Sequence, residues 1–195
     1  VSYTNSNGGR ISLWTEDFLS GRSSRLRSGG FELDPHGSTI AQDYLSHTHA
    51  NWVFSQAGSY ELSVQARAYR NDGSFETTRS ATYLIEVGST QGVSMPQNSA
   101  VQSGETPNQA ITTLNVQVGS EGGITDGHFD LGPAIENGQL VARIKDDRSV
   151  PAVWKDPASM TFALGEKAKI KAPEALSYAA DPGQDVWMIP ATQIR

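Results

Sequence analysis

The feature that most restricts what this chain can fold into is the run SYELSVQARAY, Ser59 to Tyr69. Tyr60, Leu62, Val64, Ala66 and Ala68 take alternate positions, with Glu61, Ser63, Gln65 and Arg67 between them. Side chains of an extended chain alternate between faces, so the run has one apolar and one polar face, as a half-buried β-strand does. RNDGSFETT follows, and its Asp72-Gly73 pair is a hairpin signature because tight hairpin turns need positive φ. SATYLIEVG then returns with Tyr83, Ile85 and Val87 in phase. Upstream, ISLWTEDF alternates from Ile11, and Asp34, Pro35 and Gly37 of FELDPHGST supply a turn. Residues 1–88 therefore read as an antiparallel sandwich of immunoglobulin-like type.

The pattern stops at Ser89. STQGVSMPQNSAVQSGETPNQ is polar, carries glycine and proline, and has no periodicity, which predicts an extended linker over 89–110. Beyond it TLNVQVG alternates again, and GHFDLGPAIENGQLVARIKDD gives two strands around Asn137-Gly138. MTFALGEKAKIKAPEALSYAADPGQDVWMIP adds short strands, with a helical turn after Pro173. The expected fold is all-β: the sandwich over 1–88, then a second β-rich unit over 111–195. A length of 195 residues suits two such small units.

Charge and composition exclude several functions. A net charge of −6 and a pI near 5.1 argue against nucleic acid, whose partners show a basic face. Arg22, Arg25 and Arg27 in SGRSSRLRSGG read as a solvated segment. With no cysteine there is no disulfide framework and no thiolate zinc site. There is no signal-peptide pattern and no run of about 18 apolar residues, so no membrane insertion is expected within this segment. VSYTNSNGGR and MIPATQIR read like the middle of a longer pattern, which would leave an anchor or targeting sequence outside it. No GxSxG, HExxH or GxxxxGK[ST] occurs, and Asp146 and Asp147 in KDDRS read as a solvated turn, so a non-enzymatic role is expected. Trp14, Trp52, Trp154 and Trp187 lie in apolar strand contexts, where core packing is the default.

Four histidines remain to be explained. In HTHANWVF an extended chain would put His47, His49 and Asn51 on one face and Trp52 and Phe54 on the other. GHFD repeats the arrangement with His128 and Asp130. Three imidazoles and a carboxylate form a donor set for zinc, manganese or a similar divalent ion. The same groups also serve as hydrogen-bonded surface residues at a sheet edge, and on spacing alone both readings stand. His36, in the turn DPHGST, is expected to be a surface residue outside the set.

HTHANWVFSQAGSYELSVQA resembles the signature of the repeat in actinobacterial surface-anchored proteins, the choice-of-anchor M domain or ABC transporter-associated repeat. That signature runs HxHxNWxFxxPGxYxLxxxA, with Ala57 here where the family has proline. GHFDLGP, GQLVARIKDD, PAVWKDPASMTFALG and PGQDVWMIPATQ look like the opening of the same repeat. The ending piece comes first, so the chain resembles the tail of one repeat followed by the head of the next. The resemblance implies an extracellular, cell-surface protein associated with components of a metal ABC transporter. It implies a metal site at His47, His49, His128 and Asp130. The alternative is a structural or adhesive repeat.

Overall fold

The computed structural model describes residues 1–17, 21–42, 47–88, 124 and 127–191. The expected linker and the TLNVQVG strand lie outside the described residues. Described strands are β1 (Ser2–Asn5), β2 (Ile11–Asp17), β3 (Gly21–Ser23), β4 (Asn51–Phe54), β5 (Gly58–Val64), β6 (Arg67–Tyr69) and β7 (Phe75–Thr77). They continue with β8 (Ala81–Val87), β9 (Phe129–Glu136), β10 (Gln139–Asp146), β11 (Val153–Lys155), β12 (Thr161–Leu164), β13 (Lys169–Lys171) and β14 (Asp185–Ile189). The fold is all-β, and the only helical elements among the described residues are three single 3-10 turns. One of these, Glu174–Leu176, is the turn expected after Pro173.

Two sheets, ordered β1-β5-β8-β12 and β13-β14-β4-β2-β3, enclose the main core. The alternation read in the sequence determines what enters it. Tyr60, Leu62, Tyr83, Ile85 and Val87 come from the first sheet, and Ile11, Leu13, Phe54 and Trp187 from the second. Phe54 is completely buried, and its ring meets that of Tyr60 edge-on at 5.0 Å between centroids. The opposite face of the second sheet is covered as well. Trp14, Val53 and Val186 pack there against Ala172, Leu176, Ala179 and Ala180. That second layer explains why both Leu13 and Trp14, neighbours on opposite faces of β2, are buried.

The sequence suggested two units, but the pairing interleaves them. β12 adds to β8 in parallel, with Thr161 opposite Leu84 and Leu164 opposite Val87. β14 lies antiparallel to β4, with Trp187 opposite Phe54. Strands from 111–195 thus complete both sheets begun by 1–88, because each of those sheets otherwise offers an unpaired edge to its neighbour. Residue 88 is where the first sequence pattern ends and is not a limit of packing.

Three further expectations need correction. The alternation of SYELSVQARAY ends at Val64: Gln65 Nε2 donates to the Thr78 carbonyl and Thr78 Oγ1 accepts from the Ala66 amide. With the backbone bond from the Thr78 amide to the Ala66 carbonyl, they tie the two strands together at this point, and β6–β7 leave the sandwich as a separate hairpin with Ala68 and Tyr69 exposed. Arg22 and Arg25 are also engaged. The Arg22 guanidinium lies 4.6 Å from the centre of the Tyr178 ring, and Arg25 Nε donates to Thr15 Oγ1. Finally, Trp154 is 49 % exposed, unlike the buried Trp14 and Trp187, because β11 is the edge strand of a third sheet, ordered β11-β10-β9.

Candidate metal centre

That third sheet carries half of the site. β9 and β10 are joined by Asn137 and Gly138, both at positive φ (50° and 75°), as a two-residue hairpin turn requires. Such a turn fixes the register of everything beyond it. Glu136 faces Gln139, and the pairing runs on to Lys145 opposite Asp130 and Asp146 opposite Phe129. One step further, the Asp147 amide donates to the His128 carbonyl at 3.2 Å. His128, Asp130, Lys145 and Asp147 therefore lie together on one face. Phe129 turns to the other, where its ring meets Phe162 at 5.1 Å and packs against the main core.

His47 and His49 arrive from the stretch that leads into β4. That stretch is not strand, and β4 begins only at Asn51. The Asn51 side-chain carbonyl accepts from the Ala191 amide, and Asn51 is buried. Trp52, expected in the core, is half-buried at its margin, while Val53 and Phe54 are fully buried.

The structure brings all four sequence-predicted residues together. Ring centroids are 4.6 Å apart for His47 and His49, 5.2 Å for His49 and His128, and 5.7 Å for His47 and His128. One ring nitrogen from each lies within 4.8 Å of the others. Asp130 Oδ1 is 2.6 Å from His47 Nε2 and 3.6 Å from His128 Nε2. Donors around a tetrahedral ion at about 2.0–2.1 Å stand roughly 3.3 Å from one another, so these separations close on an ion with small side-chain movements. His36 is exposed in its turn, its amide donating to Asp34 Oδ1, and takes no part.

Two participants were missed in the sequence, Asp147 and Lys145. His128 Nδ1 lies 2.8 Å from Asp147 Oδ2. Lys145 Nζ sits 2.9 Å from Asp147 Oδ1 and 3.4 Å from Asp130 Oδ2. The Lys145 ammonium, and then the His128 hydrogen bond, hold the Asp147 carboxyl below its ordinary value, while Asp147 in turn raises Lys145. An ionised carboxylate only accepts, so Nδ1 of His128 donates to Asp147, and Nε2 is left directed toward Asp130 Oδ1, 3.6 Å away. This is the arrangement by which an outer carboxylate orients a metal-binding imidazole. Asp146, its neighbour in the supposed solvated turn, faces the other way. It is buried between Arg148 and Lys155, whose bonds of 2.8 Å and 2.7 Å hold its carboxyl far below the usual range.

Asp147 was within reach of sequence reasoning. Once Asn137-Gly138 is taken as a two-residue turn, residues equidistant from it must face each other. That places Asp147 opposite His128 and Lys145 opposite Asp130. His128, Asp130 and Asp147 also form a second group whose donor atoms lie within 4.8 Å, sharing His128 with the first. Comparison with known proteins gives no match to a family model, to a curated protein or to a solved structure.

Proposed function

We propose that this chain is a non-enzymatic extracellular module of a surface-anchored protein that binds one divalent metal ion, in connection with ABC-transporter-linked metal uptake. The observation that carries the metal reading is the convergence of His47, His49 and His128 from two distant segments, with Asp130 Oδ1 against two of them. Imidazole-rich donor sets favour zinc over manganese, and Asp130 makes a fourth donor. Asp147 and Lys145 hold His128 and Asp130 in place. The surface location and the transporter link rest on the resemblance of HTHANW and GHFD to the anchored repeat, and the acidic, cysteine-free composition accords with them.

A structural or adhesive repeat is the second reading, and one observation favours it. His47 and His128 each already have a carboxylate partner, at 2.6 Å and 2.8 Å. Calorimetric titration of zinc and manganese into wild type and a His47→Ala/His49→Ala variant separates the two. Metal ligation predicts a zinc-preferring interaction in wild type that the double variant loses. The interaction should weaken as pH falls, because protons compete with the metal for the imidazole nitrogens. Equal, weak heats in both proteins would establish the hydrogen-bonding role instead. His128→Ala, expected to lose binding as well, tests whether the two segments form one centre.

A further inference from the structure

Trp154 is exposed on the same sheet face as the candidate metal centre. Directly opposed residues of neighbouring antiparallel strands share a face, with Cβ atoms about 4.5–5.5 Å apart. Lys145 is opposed by Trp154 on one side and by Asp130 on the other, so indole, ammonium and carboxylate form one row across the three-stranded sheet. The next row is Asp147 and His128. A half-exposed tryptophan at a sheet edge offers a flat apolar surface to solvent, and this one adjoins a charged site.

Charge and access specify what would lie there. A dipositive ion held by neutral imidazoles, with the carboxylates of Asp130 and Asp147 and the ammonium of Lys145, leaves the cluster one positive charge. His47 has a side chain 58 % exposed and His49 is exposed, so an ion between them is reachable from solvent. Zinc and its neighbours accept a further ligand by expanding from four to five coordination.

Resting on the metal reading above, we propose that the centre takes an exogenous carboxylic acid with a flat or apolar body. Its carboxylate adds to the coordination of the ion near Lys145, and its body lies on the Trp154 indole. The ligand class follows from the juxtaposition: net positive charge and an accessible ion at one end of a row, an aromatic plate at the other. No bond is made or broken in the organic ligand.

The test uses cobalt(II), whose visible bands report changes in coordination, loaded into the whole chain and titrated with acetate and with phenylacetate. Both acids should shift the bands, and phenylacetate should bind about five-fold more tightly, the worth of one good aromatic contact. Trp154→Ala, a substitution at an exposed edge position, should abolish that preference and leave the acetate affinity as it was. Bands that ignore both acids in the cobalt-loaded protein would overturn the proposal while leaving metal binding intact. A phenylacetate preference that persists in Trp154→Ala would overturn the role of the indole. If cobalt(II) does not bind at all, the metal reading itself falls and this inference falls with it.

Discussion

Asp147 is the residue that most sharply separates a metal centre from a hydrogen-bonded surface. Its carboxylate accepts from His128 Nδ1 and so orients the ring with Nε2 toward Asp130, and Lys145 keeps that carboxylate ionised. Asp147→Asn keeps the shape and removes the charge. On the metal reading, zinc affinity measured by competition with a chromophoric chelator should fall about 10–100-fold, the usual cost of losing such an outer partner. The denaturant midpoint of the protein without added metal should move little, since Asp147 is partly exposed and its ion pair with Lys145 is worth little. At this scale the sequence was informative about ligand types and poor about partners. HxH and GHxD announced themselves, whereas Asp147 looked like half of an ordinary acidic turn. Only the register distinguishes it from Asp146, which faces the opposite side of the same sheet.

The β9–β10 hairpin is the element on which the site depends. Its register follows from one turn, and a slip of a single residue would turn His128 and Asp130 away from Lys145 and Asp147. Gly138 sits at φ 75°, a region that costs a residue with a Cβ roughly 1–2 kcal/mol. Gly138→Val should therefore lower stability by about that amount in urea unfolding, more than the same change at a glycine with ordinary φ. It should also weaken zinc binding, although residue 138 is far along the hairpin from the donors. This hairpin was legible because Asn-Gly is a strong local signal. The end of β5 was not. The alternation of Gln65 to Ala68 continues the strand pattern, and what interrupts it is Thr78, a residue distant in sequence that caps the Ala66 amide.

For the whole molecule, burial in the two packed layers carries a pH dependence that can be checked. Burial pushes the phenols of Tyr60, Tyr83 and Tyr178 up to about 12 from an ordinary value of 10.0. A group whose folded value is raised contributes fully below the unfolded value and loses that contribution as pH climbs through the folded one. The contribution of these phenols should thus be level below pH 10.0 and decline between there and about 12, so stability should fall over that range. Tyr83→Phe, which removes one such phenol from the core, should make the decline shallower in denaturant unfolding followed across that range. The all-β class was readable from periodicity. The interleaving of the two halves was not, since a parallel match such as β12 on β8 leaves no local mark on either segment.

That interleaving has a kinetic consequence. His47 and Asp130 lie 83 residues apart along the chain, and the Gln184 amide group reaches the Ser55 carbonyl across 129. Closing such spans costs entropy before any contact rewards it, so chains dominated by distant pairings fold slowly. The imidazole cluster joins segments this far apart, so it is expected among the last contacts to form, a prediction that Φ-values near zero for His47→Ala and His128→Ala would check. An ion that needs His47, His49 and His128 at once would then have no nucleus to seed. It would slow escape from the finished fold and leave the rate of reaching it unchanged.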